Sequence, residues 1–134
     1  MKRLFPILAV MLLACACRDE SFVTPFVENM DEVCMVQRSR TVFTYNPSTC
    51  QMAFNRERRE FRVHTDNMSD FYTLTLSEIP SAPEQKVTGT LIWTDDNEVN
   101  ARKNVTFTAE RLEGDRIWLW TDNGQIGVVV RVLD

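Results

Sequence analysis

The sequence predicts an all-β fold, an antiparallel meander forming a small β-sandwich or β-barrel, and three observations predict it. From residue 33 onward apolar residues recur with a period of two, and no long stripe at helical spacing interrupts them. Short runs rich in Val, Phe, Thr and Trp are separated by clusters of Asn, Asp, Gly and Pro. With 44% hydrophobic and 25% charged residues and only 4 Gly and 5 Pro, the composition is that of a globular chain, and 134 residues suit one domain.

The expected strands are Val33 to Val36, Thr41 to Tyr45, Cys50 to Asn55, Phe61 to Thr65, Phe71 to Leu76, Lys86 to Thr94, Val105 to Arg111, Arg116 to Thr121 and Gln125 to Leu133. Turn chemistry separates most of them. Asn46-Pro47-Ser48-Thr49 reads as a hairpin turn setting Tyr45 opposite Cys50, and Asp66-Asn67, Asp95-Asp96-Asn97, Glu113-Gly114-Asp115 and Asp122-Asn123-Gly124 close later hairpins. The longer stretch Ser77 to Gln85, with Pro80 and Pro83, reads as a crossing between sheets or over a barrel end.

The last three strands allow two registers. A two-residue Asn123-Gly124 turn pairs Leu119 with Val128 and Ile117 with Val130 on one face, and Trp120 with Gly127 and Trp118 with Val129 on the other. With a three-residue loop at Glu113 to Asp115, the core then holds Val105, Phe107, Ala109, Ile117 and Leu119, and the two tryptophans look outward. A three-residue turn at Asp122 to Gly124 slips the register by one and turns Trp118 and Trp120 onto Phe107 and Ala109. Trp93 shares a face with Val87, Gly89 and Leu91 and reads as core.

The first segment reads as separate from the fold. Lys2 and Arg3, the apolar run Leu4 to Leu13 and the small residues Ala14 and Ala16 form a secretory signal pattern, too short to span a bilayer. The run Leu12-Leu13-Ala14-Cys15 resembles the lipobox of bacterial lipoproteins, with Cys17 as a rival lipid acceptor after the A-x-A site at Ala14 and Ala16. The resemblance implies residues 1–16 as signal peptide, 17–32 as a flexible acidic tether and 33–134 as a single β-domain anchored to the membrane through an N-terminal lipid. Arg18-Asp19-Glu20 resembles an acid-rich surface-export tag, and the residue after either cysteine is not aspartate, which together imply the outer membrane, on its surface or periplasmic face.

Removal of Lys2 and Arg3 lowers Lys+Arg from 15 to 13 against 19 Asp+Glu, so the net charge moves from −4 to −6. That balance excludes a general nucleic-acid binder. Against it, Arg38, Arg40, Arg56, Arg58, Arg59 and Arg62 face only Glu57 and Glu60 and form a candidate partner patch. In an oxidising envelope Cys34 and Cys50 are expected to form a disulfide, closing a loop of about 15 residues for a gain on the order of 3 kcal/mol. No metal site and no cofactor is expected, since the chain has one histidine and no C-x-x-C or glycine-rich phosphate loop.

An outward Trp118 and Trp120 pair, with Arg116 and Arg131 as donors, is the candidate ligand-binding ledge. His64 is expected to face solvent, with no nucleophile signature nearby to make it a catalytic base. Asp95, Asp96, Asn97, Glu98 and Asn100 offer oxygen ligands but lack the order of a calcium loop. Asn67-Met68-Ser69 and Asn104-Val105-Thr106 match the glycosylation sequon and mark loops. The size suits a lipocalin-like barrel, but the G-x-W motif expected in the first strand of those barrels is missing. The expectation is a lipid-anchored, non-enzymatic envelope protein binding a glycan or a protein; the alternative is a small-barrel inhibitor of a secreted hydrolase such as lysozyme or a protease.

Overall fold

The described residues form nine antiparallel strands in one continuous sheet curled into a half-barrel, with no helix among them. The computed structural model describes residues 32–37 and 40–133; the signal, the tether up to residue 31, Cys15, Cys17 and Arg38 lie outside them. The strands are β1 (Cys34–Gln37), β2 (Arg40–Thr44), β3 (Cys50–Asn55), β4 (Glu60–Thr65), β5 (Phe71–Leu76), β6 (Lys86–Asp95), β7 (Glu98–Glu113), β8 (Arg116–Thr121) and β9 (Ile126–Arg131). Their order in the sheet is β2-β1-β9-β8-β7-β6-β5-β4-β3. The chain from β3 to β9 is thus the expected meander, and β1 joins the first hairpin to its far end.

The turn at Asn46–Thr49 forms, but it is not a hairpin. The Asn46 carbonyl accepts from the backbone N–H of Thr49 at 2.9 Å and of Cys50 at 2.8 Å, and its side chain accepts from Ser48 N–H at 2.9 Å. Tyr45 N–H instead donates to Val33 O at 2.8 Å, so β2 stays with β1 and the turn carries the chain from one edge strand to the other. Ser77 to Gln85 likewise makes no crossing between sheets. It links the paired neighbours β5 and β6, and its end lies along β7, where Ala109 N–H donates to Gln85 O at 2.9 Å.

β7 begins seven residues earlier than its apolar alternation predicts, because its first part has solvent on both faces. Asp95 pairs with Glu98 around Asp96 and Asn97, both at positive φ as a two-residue primed turn requires. β8 reaches β7 only from Phe107 onward, so the preceding residues pair with β6 alone and need no inward apolar set.

The register of the last three strands is the one that turns the tryptophans outward. Leu119 pairs with Val128, Ile117 with Val130, Trp120 with Gly127 and Trp118 with Val129. The turn achieving it is longer than two residues: Gly124 N–H donates to Thr121 O at 2.8 Å, and Gly124, not Asn123, takes the positive φ. On the other side of β8 a tight Gly114-Asp115 turn sets Glu113 opposite Arg116, and a bulge between Ala109 and Arg111 restores Ala109 to Leu119 and Phe107 to Thr121.

The inner face holds the main core, where Phe61, Val63, Tyr72, Leu74, Leu91, Trp93, Phe107 and Leu119 are all but fully buried. Burial of such side chains contributes roughly 1.5–3 kcal/mol each. Curling brings the edge strand β2 over β5, where the Phe43 and Tyr72 rings meet edge to face at 5.4 Å. At the rim Arg40 on β2 reaches Asp95 at the end of β6 at 2.7 Å.

No disulfide joins Cys34 to Cys50; both are buried thiols. Alternation along β1 sends Met35 inward and Cys34 and Val36 outward, whereas Cys50 belongs to the inner core. The two sulfurs thus serve opposite faces of the sheet, which a 2 Å bond cannot bridge.

Candidate functional site

Trp118 and Trp120 stand on the outer face of β8, but they do not make an open ledge. They are 0% and 6% exposed and cluster with Cys34, Val36 and Val129. Trp120 Nε1–H donates to Glu110 Oε1 at 2.6 Å, and the Arg111 guanidinium lies 3.9 Å from the centroid of Trp118. Burial pushes the Glu110 carboxyl up, opposed by the indole hydrogen bond and by Arg111. Glu110 and Arg111 were not among the residues the sequence singled out. The signal was there: the inward series Phe107, Ala109 skips to Leu112, and such a break in a period of two marks a bulge.

Arg116 and Arg131, the expected donors, pair across β8 and β9 at the opposite end from the Asp122–Gln125 turn. Arg131 is committed to Asp115, with Nε at 3.0 Å from Oδ2 and Nη2 on the same oxygen, and this bond holds the Asp115 carboxyl below its ordinary range. Both arginines line a cleft of about 600 Å³ with Glu32, Tyr45 and Asn46. A second cleft of about 320 Å³ lies beside the overhang of β7, between Arg102, Thr106, Asp122 and Gln125.

The arginine patch divides in three. Arg40 is paired with Asp95 at the far end of β6, whereas the Arg56 to Arg59 turn packs at Leu76, opposite Gly89, six residues back along the same strand, roughly 20 Å away. Arg59 serves the fold: at φ 55° it closes the β3–β4 hairpin, and its Nε donates to Leu76 O at 3.0 Å. The hairpin itself presents Arg56, Arg58 and Arg62.

That hairpin has the geometry of a contact surface. Among the described residues β3 is an edge strand, so every second residue aims its backbone N–H and C=O away from its one described neighbour. Ala53 on β3 lies directly opposite Arg62 on β4, both exposed, and the small methyl leaves a groove of about 300 Å³ bordered by Asn55, Arg58, Glu60 and Arg62. Asn55 Oδ1 fixes the turn by accepting from Arg58 N–H at 3.0 Å. Arg56 lies over the Phe54 ring at 5.3 Å, and Phe54 stacks on Phe61 at 4.7 Å, which ties the basic tip to the core. Glu60 reaches Arg62 only at 3.4 Å.

His64 stands on the outward set of β4, half-buried, with Nδ1 2.9 Å from Thr65 O. Asp96 and Asn97 are the central residues of the β6–β7 turn, and Asp95 is the partner of Arg40. Among the described residues no three His, Cys, Asp or Glu side chains converge as a metal site would require. Compared with known protein families, curated proteins and solved structures, the chain matches none.

Proposed function

We propose that the protein is a non-enzymatic binding module, held at the outer membrane by an N-terminal lipid on Cys15 or Cys17, and that it recognises a protein presenting an acidic, extended segment. The observation that carries the reading is the exposed pair Arg58 and Arg62 beside the outward backbone groups of an edge strand. An extended partner adds main-chain hydrogen bonds to β3, and its carboxylates accept from guanidinium groups able to donate to them in two-point fashion. A glycan is the weaker fit, because ring stacking needs open aromatic faces and both candidate tryptophans are buried. The inhibitor reading uses the same hairpin, whose basic tip would enter an acidic hydrolase cleft.

The test is a titration of the full chain with a fluorescent peptide alternating glutamate and valine. Binding should weaken in high salt as exposed charges are screened, and fall at least tenfold in Arg58→Glu with Arg62→Glu. An affinity indifferent to both changes refutes the reading. Inhibition of lysozyme or a protease by the wild type, lost in the same double variant, identifies the inhibitor. Replacement of both Cys15 and Cys17 by Ser should release the protein from membranes.

A further inference from the structure

We propose that the concave mouth of the half-barrel binds a small hydroxylated carboxylate, a sugar acid, with Arg102 as its anion anchor. Strand register brings the residues together. Arg102 on β7 pairs with Leu91, Thr121 at the end of β8 with Phe107, and Gln37 at the end of β1 with Ile126. Directly opposed residues of antiparallel strands share a face, and Leu91, Phe107 and Ile126 all belong to the inner core. Arg102, Thr121 and Gln37 thus turn to the concave side, where they line one cleft of about 320 Å³ with Val105 and Ile126. The mouths of β-barrels are where small ligands commonly seat.

Arg102 is presented there and not spent on an ion pair. Its guanidinium lies 5.3 Å from the centroid of Trp93, itself 1% exposed, so the buried ring supports the planar group from one face. Nη1 donates to Ala101 O at 3.0 Å, and among the described residues no carboxylate pairs with the guanidinium. The remaining N–H groups keep the fork that a carboxylate accepts from in two-point fashion. Asn123 supplies a second donor. Its Oδ1 accepts from Thr121 Oγ1 at 2.7 Å and from Gln125 N–H at 3.0 Å, which fixes the side chain and leaves the Nδ2 hydrogens at the cleft. Gln37 adds an amide able both to donate and to accept.

These groups define the ligand. One guanidinium with Asp122 on the same wall suits a monoanion better than the double charge of a phosphate monoester. The amides beside it suit hydroxyl groups. Beneath Val105 and Ile126 the core is filled, with Leu91, Phe107 and Val128 at 0% exposed, so no lipid tail has room to enter. A compact, polar acid meets all three conditions. The cleft shares no residue with the groove of the basic hairpin, so this inference stands apart from the binding reading above.

The test is calorimetric titration of the full chain with D-glucuronate and D-galacturonate, with D-glucose and D-galactose as the same rings without the carboxylate, and with inorganic phosphate. At least one sugar acid should bind at least tenfold more tightly than its neutral counterpart and more tightly than phosphate, and Arg102→Gln should lower that affinity at least tenfold. Trigalacturonate binding more tightly than the monomer assigns the acid to a polysaccharide, and equal binding assigns it to the free sugar; either result supports the site. Absence of heat with both acids at millimolar concentration, equal affinity for the neutral sugars, preference for phosphate, or an unchanged affinity in Arg102→Gln overturns the proposal. The comparisons among ligands use the wild-type chain, so they decide the matter even where the variant fails to fold.

Discussion

Tyr72 on β5 donates its hydroxyl to the carbonyl of Val129 on β9 at 3.2 Å, across the inside of the curl. Three strands lie between the two partners along the sheet, so this bond exists only because the sheet bends back on itself. Tyr72 is 0% exposed and also receives the Phe43 ring of the edge strand. Tyr72→Phe keeps the packing and removes the hydroxyl, and should cost about 1–2 kcal/mol, read as a lower urea midpoint at unchanged slope.

The alkaline limb of stability should start at the thiol of Cys34. Burial, and secondarily the charge of Glu32, push it up to about 12 from 9.0. In the unfolded chain the thiol ionises near 9 while the folded protein keeps its proton. The stabilisation is therefore complete below that pH and is lost between about 9 and 12, by up to roughly 1.4 kcal/mol per pH unit. Tyr72, also raised by burial, adds to the loss above 10. Cys34→Ala should flatten the decline between pH 9 and 10 in urea titrations; an equal slope in the variant refutes the assignment.

Both Cys34 and Cys50 should carry reducible-agent-independent thiols. Denatured without reductant, each should take up iodoacetamide, seen as a carbamidomethyl mass increment on both tryptic peptides. A peptide pair joined through Cys34 and Cys50 would contradict their placement on opposite faces.

Gly89 should not accept a side chain. A Cβ there would sit 2.7 Å from Thr75 O, 2.8 Å from Leu76 Cδ2 and 3.2 Å from Phe107 Cε2, and the first of these is backbone of the neighbouring strand. Gly89→Ala should destabilise by about 1–3 kcal/mol through overpacking at the β5–β6 seam, measured as a lower thermal midpoint. Gly114 has open space but a positive φ, so Gly114→Ala tests conformation alone and should cost about 1 kcal/mol.

The sequence by itself determined the all-β class and the central strands and narrowed Trp118 and Trp120 to two registers, because alternation and turn chemistry are local and act between residues a few positions apart. It also placed Trp93, Phe107 and Ala109 on the inner face, and the observed pairing of β8 with β9 added Leu119 to them. Contacts between distant parts of the chain decided the rest. Pairing of β1 with β9 makes β2 and β3 the two edges of the sheet among the described residues and turns Asn46–Thr49 from a hairpin into a link between them. The same pairing assigns Cys34 and Cys50 to opposite faces, and it assembles Cys34, Val36 and Val129 beside the tryptophans. Whether an outward side chain meets water depends on what covers that face, and periodicity carries no information about a covering layer. The arginines show the same division: their excess is legible as composition, but only the curl separates Arg40 from Arg58 and Arg62, because it commits Arg40 to Asp95 at the far rim.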